Sequence, residues 1–382
     1  MNKKFNPALF WFAVVNAVAT FLLIGLGGLV TSHEAGMSVP DWPTSYGYNM
    51  FALPIKFWQG GVIYEHTHRL LASFLGVLVV ALTRWLGGYA SRKPLAIVGA
   101  FELAAGVSIF LFFPNIKAIG HFLTGIGGVV LLASLVWVRN RASDRLLLWC
   151  GWIAFGLVQL QGLLGGLRVA LFLNWLGVPH GAVAQAFLVL TAAIALFTSR
   201  WWIESAEKKQ RSVPRGLRSH VLYVTILIFV QLLIAATMRH QHSGLAIWDF
   251  PKAHGQIWPD TSDPAIANYN AHRPPGTIGN PVTAFQVDLQ MIHRLVAYAI
   301  FLGVAAAAFL ARKKLGMTDA LTKFSWVWFG MLTAQIGLGA WTVWSNKAAD
   351  ITTLHVMVGA SALLVGALWC LMAARRTQLA LE

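Results

Sequence analysis

The sequence predicts an all-α polytopic membrane protein. It reads as two parallel, pseudo-repeated four-helix bundles with a helical hairpin inserted in the first half, about ten transmembrane helices in all. Three observations carry this. The 382 residues are 57% hydrophobic and 11% charged, with mean hydropathy +0.63, against about a quarter charged in soluble domains. Apolar stretches of about 20 residues, the length that spans a bilayer as helix, recur along the whole chain. Motifs in the first half return, in order, in the second.

The elements follow in order. Asn2-Lys3-Lys4 ahead of an apolar run resembles a signal peptide, but Ala8 to Val30 is too long for one and lacks a small-x-small cleavage site, so it reads as the first span. A polar loop holds Gly36 and Asp41-Trp42-Pro43. The second span runs from about Glu65 to Tyr89. The third (Leu95–Phe113) and fourth (Ile116–Val138) form a hairpin through Pro114-Asn115. The fifth covers Leu146–Val169 and the sixth His180–Ser199, followed by the polar Arg200–Arg218 segment with Trp201-Trp202 as interfacial anchor. The seventh, His220–Met238, leads to a long polar loop rich in Pro, Asp and Asn. The eighth, ninth and tenth cover Leu289–Leu310, Phe324–Val343 and Ile351–Ala374.

The repeat defines the domains. Gly36 and Asp41-Trp42-Pro43 match Gly244 and Asp249-Phe250-Pro251. Glu65-x-x-His68-Arg69 matches Gln290-x-x-His293-Arg294. Gln161-Gly162-Leu163-Leu164-Gly165-Gly166 matches Gln335-Ile336-Gly337-Leu338-Gly339-Ala340, and His180 matches His355. The spacing shortens after His68 by the length of the hairpin at about 91–141. Residues 1–212 therefore form one half and 213–382 the other. An inserted pair of helices preserves orientation, so the halves run parallel.

The net charge of +15 follows from topology. With the N-terminus inside, Lys3, Lys4, Arg92, Lys93, Arg139, Arg141, Lys208, Lys209, Arg312, Lys313 and Lys314 all fall on the inner side. Both termini are then cytoplasmic, and the Gly36 and Pro251 loops lie outside. No basic, aromatic-interleaved soluble segment remains for nucleic acid. The 2 cysteines, Cys150 and Cys370, sit in apolar runs, which argues against a structural disulfide or thiolate metal site.

Four histidines lie at matching depth in apolar runs: His68 and His180 in one half, His293 and His355 in the other. Ionisable residues in membrane spans mark function, and neutral imidazole is a common axial ligand of haem iron. At i+4 stand Ala72, Ala184, Ala297 and Gly359, small residues over which a flat macrocycle can lie. Small residues also serve helix packing, so the pattern is weaker than the histidines themselves. Arg69 and Arg294 follow two of the histidines and suit either haem propionates or an interfacial snorkelling role. Arg168 is a further propionate candidate. Its repeat mate is Thr342, which confines that role to the first half. His33, His66, His121, His220, His240, His242, His254 and His272 read as loop or packing residues, and Glu102 in the hairpin as structural. Glu65 is the asymmetric element, opposite Gln290. It reads as a proton-handling carboxyl beside a bound ring or as a helix N-terminal carboxylate.

Assembled, Asp41-Trp42-Pro43, Glu65-x-x-His68-Arg69, Gln161-Gly162-x-x-Gly165-Gly166, His180, His293-Arg294 and His355 resemble the haem A synthase family. The resemblance covers both halves, all but the hairpin. It implies an oxidoreductase of the bacterial-type inner (cell) membrane that oxidises the C8 methyl of haem O to a formyl group through an alcohol, supplying haem A to terminal oxidases. It implies His68 and His180 as ligands of the substrate haem and Glu65 as the catalytic carboxylate. His293 and His355 would ligate a haem b cofactor. It further implies haem O synthase as supplier and an electron partner that the sequence does not identify. Two departures stand out: the first polar loop lacks the cysteine pair many members carry, and the hairpin is additional to eight helices. The rival class is a non-catalytic di-haem b-type electron carrier. A transporter would need a polar path near the midplane, and none is visible.

Overall fold

The computed structural model describes residues 4–136, 138, 144–205, 212–274 and 281–381. The inner-side cations at 3, 139, 141, 208, 209 and 211 fall outside these. Among the described residues the chain is helical, in chain order α1 (Pro7–Ser32), α2 (Gly61–Gly87), α3 (Arg92–Phe112), α4 (Lys117–Leu135), α5 (Arg145–Ala170), α6 (Gly177–Thr198), the short α7 (Arg200–Glu204), α8 (Arg215–His240), the short α9 (Asp263–Ala271), α10 (Ala284–Leu315), α11 (Ala320–Trp344) and α12 (Ala349–Leu381). Ten of these have 19 to 33 residues. Among the described residues, eight stretches are long and apolar enough to cross a membrane; the one at 61–112 is two helices, α2 and α3, joined by a 3-10 turn at Gly88–Ser91. The remaining long helix, α11, has 25 residues and carries four tryptophans, Trp326, Trp328, Trp341 and Trp344. Large apolar side chains such as Phe101, Leu132, Tyr223 and Leu302 stay exposed on the helix flanks, as a lipid solvent allows. The protein is a multi-pass integral membrane protein.

Helices α2 and α10 begin earlier than their apolar runs. Gly60, at φ 52°, turns the chain into α2. Thr283 and Gln286 form a reciprocal capping box that starts α10. Both helices therefore start about one turn ahead of the expected boundary. Glu65, expected at the first turn, sits in the second, which removes the reading of it as a helix-end carboxylate.

The chain divides into two compact units, 1–30 with 34–203, and 31–33 with 204–382. In the first, Leu9 and Ala13 of α1, Leu75, Val79, Leu82 and Leu86 of α2, Cys150 and Ala154 of α5, and Phe187, Ile194 and Ala195 of α6 share one core. That is a four-helix bundle. Thr83 ties α2 to α5 by donating to the Gly151 carbonyl at 2.9 Å. In the second unit α8 packs on α10 and α12, and α11 packs on the same two helices. Its core encloses two indoles, and both donate: Trp328 to the Ala362 carbonyl (2.9 Å) and Trp369 to that of Leu321 (3.1 Å). A buried indole without such a partner would leave a costly orphan donor.

The hairpin α3–α4 is zipped by glycine. A Cβ on Gly99 would stand 2.8 Å from the Leu131 amide nitrogen, and one on Gly120 would stand 2.7 Å from that of Phe110. Backbones approach this closely only where side chains are missing. The hairpin lies on α2 and α5, where Val80, Leu95, Val130 and Phe155 form a second core.

Candidate functional site

Each unit carries one histidine pair, near one end of its bundle. His68 on α2 and His180 on α6 are close enough to interact electrostatically. His293 on α10 faces His355 on α12 with ring centroids 6.5 Å apart at 62°. Metal–imidazole bonds are about 2 Å and a ring nitrogen lies about 1 Å from its centroid, so two imidazoles across one ion stand about 6 Å apart. The second pair has this spacing.

In all four histidines Nδ1 is buried without a hydrogen-bond partner. His66 Nε2 and His254 Nδ1 are likewise unpartnered, so it is the matched placement of the four, two to each unit, that marks them as a ligand set. No group of three or more His, Cys, Asp or Glu gathers among the described residues. Two protein ligands per unit fit an iron whose remaining ligands come from a macrocycle.

The repeated Gln-Gly motif supports the rings from behind. Gln161 donates to the His180 carbonyl and Gln335 to that of His355, both at 2.9 Å. Gly165 and Gly339 lie flush on those imidazoles, where a Cβ would be 3.2 Å from Cε1. Gly27 on α1 sits against His68 in the same way, at 3.3 Å. Sequence comparison of the halves reveals the Gln and Gly pairs but misses Gln231, which donates to the His293 carbonyl at 2.8 Å. Gln231 has no mate in the first half, so the repeat carries no signal for it.

The His-Arg motifs hold the polar loops over these sites. Arg69 donates to the carbonyls of Asp41 (2.6 Å), Thr44 (3.2 Å) and Val39 (3.0 Å), and to Glu65 Oε1 (2.7 Å). Glu65 Oε2 accepts the Val39 amide at 2.9 Å. The second half repeats the clasp. Arg294 donates to the carbonyls of Asp249 (2.8 Å) and Lys252 (2.9 Å), and Gln290 Oε1 accepts the Ile247 amide at 2.7 Å. Asp41 accepts the amides of Tyr46 and Gly47, and Asp249 those of His254 and Gly255. Tyr46 and His254, at φ 52° and 50°, occupy the same left-handed position, and Trp42-Pro43 and Phe250-Pro251 are both cis. Burial alone would raise the Asp41 pKa. Bonds from Thr44, Gly47 and Tyr46 and the Arg69 charge outweigh it and hold this carboxyl below its usual value.

The two arginines thus neither snorkel nor stand idle. Arg69 has spent four of its N–H bonds on the loop and the carboxylate. Arg168, on the last turn of α5, differs. Its Nε is buried without a hydrogen-bond partner, its guanidinium lies over Gly36, and its charge acts on Glu65 and His180. Thr342 bonds its own helix at the Leu338 carbonyl. The alkyl chain of Lys347 lies against Gly244, the mate of Gly36. A long basic side chain therefore lies by the matching glycine in each half, from a different chain position.

His66 is fully buried, 3.5 Å from Ser45 Oγ and edge-on to Trp58. His220 bonds the Gly303 carbonyl at 2.8 Å. Both are packing residues, as expected. Glu102 is bonded by Gln159 of α5 at 2.7 Å.

Fold and site define a class: a polytopic helical membrane protein of two units, each with a half-buried histidine pair under a clasped loop. The chain belongs to the COX15-CtaA family, described as cytochrome oxidase assembly protein, which matches residues 119–368. It is 25% identical to a heme A synthase of Caulobacter sp. (strain K31) over 96% of this chain and 95% of that one. It is also 25% identical to a heme A synthase of Caulobacter vibrioides, over 95% and 94%. Against one from Exiguobacterium sp. (strain ATCC BAA-1283 / AT1b) it is 23% identical over 94% and 89%.

Proposed function

We propose that this chain is a haem A synthase: an oxidoreductase that converts the C8 methyl of haem O to a formyl group through the alcohol. The observation that carries the reading is the matched pair of two-histidine sites in a member of a cytochrome oxidase assembly family. In this reading His68 and His180 hold the substrate haem O, and His293 and His355 hold a haem b. The 6.5 Å ring separation supports the second pair, and the matched placement of His68 and His180 in the repeat supports the first. A haem b bound there supplies one-electron transfer to or from the substrate site.

The protein's own residues position and protect. Gly27, Gly165 and Gly339 let imidazoles sit flat on the helices. Arg168, with its unsatisfied Nε, supplies a charge for a propionate of the first haem. Arg69 and Arg294 contribute to the propionate environment mainly through the loops they clasp. Glu65, one turn from His68, is the proposed catalytic carboxylate. With water as the oxygen source and an electron acceptor taking two electrons per step, each oxidation would release two protons, which a carboxylate here could accept. A fixed anion also favours positive charge developing at the reacting carbon.

We further assign residues 1–212 to the substrate half and 213–382 to the cofactor half, in a bacterial cell membrane with both termini cytoplasmic. Haem O synthase is the supplier and terminal oxidase assembly the destination. The test is to extract pigments from cells expressing this chain with a haem O source. The formyl haem is expected. Bound haem without any formyl product would instead identify a di-haem electron carrier.

A further inference from the structure

The α3–α4 hairpin is the one large element that the repeat does not explain. Its contact with the first site runs through Phe122. The Phe122 ring lies on Gly162 of α5, where a Cβ would stand 2.8 Å from it. The same ring packs on Trp42 with centroids 5.2 Å apart. Trp42 in turn lies flush on Gly166, closely enough that any Cβ there would clash with the indole. One face and edge of α5 thus carries three neighbours in succession: Phe122 on Gly162, the His180 ring on Gly165, Trp42 on Gly166. The hairpin is fastened deeper by the Glu102–Gln159 bond, also on α5.

The second unit makes the comparison. Gly162 corresponds to Ile336, so the helix position left bare under Phe122 in the first unit carries its own side chain in the second. Phe155 corresponds to Phe329 and Trp152 to Trp326. In the first unit Phe155 packs into the hairpin core. In the second, Phe329 packs tilted against Phe301 at 5.2 Å and Trp326 edge-on to Phe309 at 5.2 Å. The mate of Phe301 is Gly76. Local aromatic side chains cover in one unit what the hairpin covers in the other.

We propose that the hairpin is a buttress for the first site, and that Phe122 is a positioning residue. It wedges Trp42, and with it the clasped loop at 36–48, against the end of α5 that supports His180. The proposal rests on the reading of His68 and His180 as the substrate-haem ligands. Its structural part, that Phe122 holds the loop, stands independently of that reading.

The test uses the full-length purified protein. Amide hydrogen exchange is measured for the 36–48 loop, with the matching 244–256 loop as internal control. Phe122→Ala is expected to speed exchange at 36–48 and leave 244–256 unchanged. Iron protoporphyrin IX is then titrated in a His355→Ala background, so that absorbance reports the first site. Loss of one aromatic wedge is expected to weaken that binding several-fold, up to about tenfold. Gly162→Ile alone is expected to collide with Phe122 and also weaken binding. Combined with Phe122→Ala it copies the arrangement at Ile336 and should restore both loop protection and affinity. Phe122→Leu, an intermediate wedge, should give the same signs in milder form if the alanine variant folds poorly. Unchanged exchange at 36–48, equal acceleration of both loops, or a loosened loop with wild-type porphyrin affinity would each overturn the proposal. If the His355→Ala protein binds no porphyrin even with Phe122 intact, the ligand assignment of His68 and His180 fails, while the exchange measurement still decides the buttress.

Discussion

Replacing Glu65 by glutamine removes one negative charge and almost nothing else. The reason is built into the second unit. Gln290 holds the Ile247 amide there just as Glu65 holds that of Val39, so the fold already accommodates glutamine in this clasp. What is lost is the charge facing Arg69. That pair is largely buried, with the two side chains 9% and 5% exposed. Removing one partner of a buried ion pair outright costs about 3–5 kcal/mol. The cost here should be smaller, about 1–2 kcal/mol, because glutamine keeps an oxygen for the guanidinium. Three loop carbonyls also remain around Arg69. The variant should therefore fold and keep both haems. If the carboxylate handles protons or stabilises charge at the reacting carbon, its loss should slow oxidation by about a hundredfold or more. The assay is the ratio of haem O, the alcohol and haem A in extracts, beside the optical spectrum and thermal midpoint of the purified variant. The expected result is a near-native spectrum with accumulation of haem O or the alcohol. Near-normal haem A would refute the catalytic role and leave Glu65 as a clasp residue like Gln290.

Three further expectations follow from the same geometry. His293→Ala or His355→Ala should lower bound haem b while His68→Ala or His180→Ala should mainly lose the substrate haem; full haem content and unchanged low-spin spectra in His355→Ala would contradict the 6.5 Å pair as its ligands. The 36–48 and 244–256 loops should be reached by protease or impermeant label from the outer face alone, and labelling of Pro251 variants from the inner face would reverse the topology. Burial holds the pKa of His254, in the second loop, below its usual 6.5. A neutral histidine buried in the folded loop contributes stability that is present above pH 6.5 and shrinks as pH falls below it, since the unfolded loop then binds the proton more readily. Protection at 244–256, corrected for the intrinsic pH dependence of amide exchange, should therefore decrease between about pH 7.5 and 5.5, while the 36–48 loop, with Tyr46 in the matching place, should not follow; equal changes in protection would refute the assignment to His254.

Much of this architecture is legible from residues close in sequence. A membrane helix must satisfy its backbone internally and face lipid with apolar side chains, so ten apolar runs give ten long helices. The four histidines stand out because an ionisable group in such a run is costly. The order of motifs in the two halves reveals the repeat, and the odd length before His180 reveals the hairpin. The tertiary structure decided the rest, because it depends on contacts between residues far apart in the chain. Helix α2 starts before its apolar run, since Gly60 and the clasped loop set its beginning. The partners of Arg69, at Val39, Asp41 and Thr44, come from a loop whose course no periodicity describes. Lys347 reaches the place by Gly244 from a turn that the repeat does not align. The choice of glycine at 162 where the second half has Ile336 has no meaning along the helix. It acquires one only when Phe122, from an inserted pair of helices, is seen to lie on it: a missing side chain marks a contact without saying with what, and only the folded chain names the partner.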